Sequence, residues 1–455
     1  MNDLTPSRKL AARSRSKWFL ALFLPAVLIL ALLMLILAGG ATASAQVVTN
    51  TADSGPGTLR SAITNAASGA VITFDPSLSG TTITLSNTLT INTTLTIDAS
   101  ALPDGLQING NGSIQIFNVA SYITVFLNSL TLLNGFGGQG GAIYNGGTLT
   151  LANCTLTGNG GRFGGGIFNL GALTLNQCTL SGNGAGSYFF GGGGIYNAGT
   201  ATMNQCTLSG NSATGDTASG GGIFNVGALT LNQCTLSGNG AWAGGGIEVS
   251  DGGTLAINGS TFSGNSADFG GGIYVDSGAS LALTNTIVAG NTALYTNDIA
   301  GSFSGANNLT SSNPLLAPLG NYGGPTQTMP PLPGSPVIGA GSVSANAFAT
   351  DQRGYPRLQN GLIDLGAVEL QSPAANPPVL ANITVPAGGG TNGLQFTFTN
   401  APVADFTVLT ATNVSLPLTN WTVLGEVLQV APGLYQFTDP QAATNMVRFY
   451  RMRSP

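Results

Sequence analysis

The sequence predicts an all-β fold, a right-handed parallel β-helix (a solenoid) of about 25 residues per coil. Three observations predict it. A Gly-rich, nearly uncharged unit recurs six times, with its Ile at 143, 167, 195, 223, 247 and 273, spacings of 24, 28, 28, 24 and 26. Apolar residues inside each unit alternate with period two, as in Leu173 and Leu175 and then Cys178 and Leu180, which marks short strands with one buried face. Gly and Asn then punctuate the chain so often that no helix fits between them. One unit cannot bury its own apolar face, whereas stacked units can.

The composition fits this class and excludes others. Of 455 residues, 43% are hydrophobic and 6% charged, with 68 Gly and no His. So little charge with so many aliphatics does not describe a disordered chain, and His-based chemistry is ruled out. The first 17 residues hold Arg8, Lys9, Arg13, Arg15 and Lys17; after them come only seven Arg, no Lys and 16 acids. That balance is no footprint for nucleic acid.

The elements follow in order. Residues 1–45 read as a signal peptide: the basic start, an apolar run from Trp18 to Ala38, and Ala43-Ser44-Ala45, with cleavage expected after Ala45. The apolar run is long enough to span a bilayer, so an uncleaved signal anchor, the one expected membrane contact, is the alternative. Residues 46–135 should form an N-terminal helical cap and the first coils. In Thr58–Ala67, Leu59, Ala62, Ile63 and Ala66 stand at helical spacing, able to plug the open end of the stack. Residues 136–300 are the repeat coils, of which "GGGIFNLGALTLNQCTLSGN" from Gly164 is typical. Length differences fall mostly at one corner, giving loops such as "GGRF", "GAGSYFF", "SATGDTAS", "GAWA" and "SADF". Residues 301–370 should supply C-terminal coils and a cap; the Pro-rich stretch 313–336 cannot be a central strand and reads as a terminal wrap or cap. Residues 371–378 ("QSPAANPP") read as a linker, and 379–455 as a small C-terminal β-sandwich-like module.

Equivalent residues of stacked coils form ladders. Cys154, Cys178, Cys206 and Cys234 share one rung position, continued by Ser260 and Thr286. Four thiols in a line cannot enclose a tetrahedral metal. Parallel strands also hold neighbouring Cβ atoms about 4.8 Å apart, wider than the usual disulfide, so buried free thiols are preferred to bridges. Asn159, Asn183, Asn211, Asn239 and Asn265, with Asn291, form a second ladder of structural amides. The Gly runs are not phosphate loops, since they lead into strands and no Lys follows.

At this point the residues resemble known families. "GGAIYN" (140–145) with "FSGN" (262–265) is similar to the paired repeats of polymorphic outer membrane proteins, β-helical surface adhesins, although most units here carry Leu in place of that Phe. "DSGPGTLRSAI" (53–63) resembles the start of bacterial extracellular β-helix proteins. The segments 307–341 and 350–369 ("TDQRGYPR…DLGAVE") resemble an end module called choice-of-anchor Q, and the tail resembles a β module of secreted bacterial proteins. The resemblance implies an exported protein, extracellular or associated with the outer membrane of a bacterium.

The expected function is non-catalytic: adhesion, or contact with a glycan or surface protein. The candidate binding residues are aromatics preceding the Gly runs, Phe163, Tyr188, Phe189, Phe190, Trp242 and Phe269, with Arg162 beside them. Tyr144, Phe168, Tyr196, Phe224 and Tyr274 should form an outward aromatic stripe interrupted by Glu248. The alternative is a polysaccharide lyase or hydrolase, for which Glu248 and Asp268 would have to face one groove; a structural spacer is the third reading. No catalytic residue, metal site or cofactor is assigned.

Overall fold

A computed structural model describes residues 46–186 and 191–371 and, in the C-terminal region, 379–384, 394–399, 406–416, 420–431, 434–439 and 448–453. The expected signal peptide with its cleavage after Ala45, and residues 372–378 of the expected linker, lie outside the described residues.

The alternating pattern folds as expected, into a parallel solenoid. In the coil beginning at Ile143, the strand Ile143–Asn145 joins a nine-stranded sheet and Thr148–Ala152 an eleven-stranded one. Thr155–Thr157 then joins a second nine-stranded sheet. These are called here the Ile, Leu and Thr sheets. Pairing is parallel and in register: Ile143 lies beside Ile167, then Ile195, Ile223, Ile247 and Ile273. Parallel strands joined by such crossovers wind right-handed. Inward Leu, Ile and Cys side chains merge into one apolar core running from Val48 to Val288.

The corner expected as loops is in part a fourth sheet. Phe136–Gln139, Gly160–Phe163, Gly184–Gly186 and Ser212–Thr214 pair in parallel. Single bridges through Gly240 carry the row on to Ser266–Phe269 and Thr292–Thr296. Backbone amides at a corner need partners as much as those of a flat face, and the next coil supplies them. The Gly run enters this corner because nothing larger fits: a Cβ on Gly165 would lie 2.4 Å from the carbonyl oxygens of Gly184 and Gly193.

Buried amides tie the coils together. From Asn159 through Asn183, Asn211, Asn239 and Asn265 to Asn291, each Nδ2 donates to the next Oδ1 at 2.8–2.9 Å. Each Nδ2 also donates to a carbonyl of the preceding coil, Leu180 in the case of Asn211. At one end the Gly135 N–H donates to Asn159 Oδ1, and at the other Asn291 donates to Asp298 Oδ1 at 3.0 Å. A second fully buried ladder, Asn145–Asn169–Asn197–Asn225, has Nδ2 to Oδ1 distances of 2.7 Å. The four cysteines are free and buried, and burial pushes the Cys154 and Cys206 thiols well up. Their rung continues to Ser260, whose Oγ accepts from the Cys234 N–H at 3.0 Å.

The N-terminal end is closed by the helix Leu59–Thr64, which buries Leu59, Ala62 and Ile63. Thr58 caps it, its hydroxyl accepting from the Ser61 N–H.

The Pro-rich segment is the stretch expected as a terminal wrap or cap. It turns back along the outside of the Thr sheet as a strap that reaches Gln205, four coils from its start. Thr207 donates to the Gln327 carbonyl at 2.6 Å, Thr235 to Gln352 Oε1 at 2.6 Å, and Thr261 Oγ1 accepts from the Ala367 N–H at 3.0 Å. Irregular backbone cannot extend the ladder, but outward Thr hydroxyls can satisfy it side-on. Val337 and Leu365 add an apolar contact to Ile287 and Ala289. The strap's charged residues form a buried network. Arg353 pairs with Asp351 at 3.0 Å, and Arg357 donates to the Asp364 and Gly366 carbonyls. Glu369 accepts from the Asp364 N–H at 2.7 Å. Burial, reinforced by the Asp364 charge, pushes the Glu369 carboxyl up to about 8.

The C-terminal region forms two antiparallel sheets. One contains Val379–Thr384, Leu394–Thr399, Leu434–Asp439 and Leu428–Ala431; the other contains Thr422–Glu426, Thr407–Ala411 and Phe449–Arg453. Phe396 of the first meets Tyr450 of the second with ring centroids 5.8 Å apart.

Replacing Asn211 by Leu would strand donors and acceptors on both neighbouring coils. Its cost is expected at about 3 kcal/mol or more in denaturant unfolding, against roughly 1 kcal/mol or less for the half-buried Asn204→Ala. Native Glu369 keeps its proton up to about 8, whereas the unfolded side chain loses it near 4.5. The native state therefore loses stability as pH rises through that window. The midpoint of thermal unfolding should fall from pH 5 to pH 8, less steeply in Glu369→Gln.

Candidate functional site

The predicted binding residues fall into two groups along the edge sheet. Phe163, closing the strand Gly160–Phe163, sits 6.0 Å from the Tyr196 ring, edge-on, and 6.5 Å from Phe168. The exposed Arg162 folds its guanidinium over the Phe163 ring at 5.1 Å. Further along, Trp242 meets Phe269 edge-on at 5.1 Å, and Phe269 stacks on Tyr295 at 4.5 Å with 16° between the planes. Tyr188, Phe189 and Phe190 lie outside the described residues.

The second group includes two residues that the sequence reading missed. Tyr295 is 67% exposed and its neighbour Leu294 70%. The signal was present, since "TALYT" follows "GN" just as "SADF" does. The decay of the repeat after Asn291 hid it.

The outward aromatic stripe holds its register but is only partly displayed, with Tyr144, Tyr196 and Tyr274 half-buried. Tyr144, Phe168, Tyr196 and Phe224 stack in turn at 5.8, 4.9 and 5.2 Å. Phe168 and Phe224 are buried. One rung per coil brings each ring onto the next, so faces are consumed by neighbours and little beyond edges is left for a partner. Trp242, Phe269 and Tyr295 follow the same spacing of one ring per coil, but Trp242 meets Phe269 edge-on and Tyr295 stays exposed.

Glu248 occupies the next rung, between Phe224 and Tyr274. It is 5% exposed, accepts a hydrogen bond from the Ser219 side chain, and leaves Oε2 without a partner. Burial pushes its carboxyl up to about 7, the Ser219 hydrogen bond acts the other way, and the Asp276 charge raises it further. Asp268, in contrast, is exposed on the strand Ser266–Phe269. The acid whose charge acts on Glu248 is thus Asp276, not the partner expected from the sequence.

Comparison with known proteins bears on the scaffold. The right-handed beta helix region family matches residues 170–323. No curated protein matches the chain. Among solved structures, the crystal structure of pectate lyase Pel9A is similar at 13% identity and a TM-score of 0.39, covering 72% of this chain and 97% of that one. An overlap this loose carries no argument about chemistry.

Chemically, the flank offers aromatic edges, one guanidinium and one shielded acid. Between residues 61 and 300 the sequence holds one Arg, Arg162, and no Lys. Among the described residues, no three His, Cys, Asp or Glu side chains converge to hold a metal ion. No helix there is long and apolar enough to cross a membrane.

Because Glu248 keeps its proton only in the folded state between about 4.5 and 7, its ionisation weakens the fold as pH rises. Glu248→Gln should raise the unfolding temperature at pH 8 and leave it unchanged at pH 4, read by calorimetry.

Proposed function

We propose that this is an exported, non-catalytic β-helix protein that works outside the cell or at its surface, holding a glycan or surface protein against the edge-sheet flank. The observation that carries the reading is a division of labour among side chains. At that corner the exposed Leu294 and Tyr295 adjoin the half-buried Trp242 and Phe269, and the half-buried Phe163 lies beside the exposed Arg162, while the candidate acid is buried. Contiguous exposed apolar surface of this kind marks interaction sites on otherwise polar proteins. The basic start and apolar run of residues 1–45, with Ala43-Ser44-Ala45, support export.

One observation favours the second reading, a polysaccharide-acting enzyme. Glu248 holds a proton up to about 7, as a general acid must. It has no partner carboxylate at hydrogen-bonding range, and its Oε2 is enclosed.

Incubation with pectic, β-glucan and chitin polysaccharides is expected to release neither reducing nor unsaturated ends. Turnover abolished by Glu248→Gln would establish the enzyme instead. Attachment to cells or glycan arrays should drop severalfold in Trp242→Ala. Attachment that is absent from the start leaves a spacer.

A further inference from the structure

A cleft of about 490 Å³ lies between the strap and the C-terminal sheets. Tyr322 and Tyr355 stand on its strap side, and Val427 and Gln429 on the opposite wall. That volume is within the range of small-molecule sites.

The strap side is held rigidly. The Arg353 guanidinium lies 4.6 Å from the centre of the Tyr355 ring, and it is fixed by the buried pair with Asp351 at 3.0 Å. The Tyr355 N–H also donates to Asp351 Oδ1 at 3.1 Å. Backbone opens the cleft beside that ring. Gly323 and Gly324 have φ of +88° and +78°, and a Cβ on Gly323 would lie 2.4 Å from the Tyr355 hydroxyl. Opposite, the Val427 N–H donates to the Phe406 carbonyl at 3.0 Å, anchoring that wall to the core of Phe398, Phe406 and Tyr435.

The chemistry of the lining selects a ligand class. Among the described lining residues none is charged, which favours a neutral ligand. Aromatic rings offer surfaces for C–H groups, while the Asn321 amide and the Gly backbone offer hydrogen bonds of both senses. A pyranose ring has that dual character, with apolar C–H faces and a hydroxyl rim. We propose that this cleft is a binding site for one or two neutral sugar units of a glycan. The inference rests on the glycan form of the function proposed above and places a second contact beside the part of the strap that lies on Gln205 and Thr207.

The test is calorimetric titration of the full-length protein with neutral mono- and oligosaccharides, beside the variants Tyr355→Ala, Val427→Trp, Trp242→Ala and Leu170→Ala. Val427→Trp fills the cleft from the wall that Tyr355 does not touch, and unfolding temperatures check that each variant folds. Binding should weaken roughly tenfold in Tyr355→Ala and be lost in Val427→Trp, with Leu170→Ala, an exposed side chain outside both sites, unchanged. Sugar binding that survives both cleft variants but fails in Trp242→Ala would overturn the site and leave glycan recognition standing. A protein that attaches to cells yet binds no neutral sugar would overturn the site and make its partner a protein. Absence of both would remove the site and the function together.

Discussion

The structure depends on in-register parallel stacking, in which each coil supplies the hydrogen-bonding partners of the next. Whatever a coil places at a rung it therefore places beside its own likeness. Apolar side chains gain from this directly. A buried polar side chain survives only if it can both give and receive, because its neighbours above and below are copies of itself. An amide can do so, which is why Asn fills the two fully buried polar rungs. A carboxylate cannot, and Glu248 is accordingly a single interruption rather than a ladder.

The same rule shapes what the surface can offer. Outward aromatics, repeated once per coil, close on one another and become part of the wall. Variation survives only where the chain leaves the common register, at the edge-sheet corner and on the strap. The strap solves a different problem: the Thr sheet ends each coil in outward hydroxyls, and Gln352, Gln327 and Ala367 take them up. It thereby converts a repetitive face into a specific one, with a charged network that no coil could hold.

Much of the scaffold could be read from the residues. The Ile spacing gives the coil, Leu173 and Leu175 give the strand face, and Leu59, Ala62 and Ile63 give the helix. Such features are local, or repeat, so pattern alone reports them. The Asn145 ladder also lay open in every "I-F/Y-N" unit, yet reading the middle aromatic as the informative residue concealed its neighbour. What could not be read depends on contacts distant in sequence. Gln205 meets Asp351 across 146 positions, and nothing in a Pro-rich stretch says along which face it will lie. The covering of Phe224 and Glu248 is likewise a property of three coils together. Exposure of the candidate binding residues, too, is set by neighbours and not by type.

The main amide ladder has a direction. Each Asn hands a proton donor to the following coil, and the series ends on Asp298, whose carboxylate can only receive. Asp298 is in effect a stop signal written in hydrogen bonds. Between Gly135 and Asp298, units can be duplicated or deleted without leaving an amide unanswered, which makes the number of coils an evolvable quantity. Past Asp298 the line has nothing to pass on. The length of this amide line, though not of the strand stacking beside it, is thus closed by one side chain of the wrong valence.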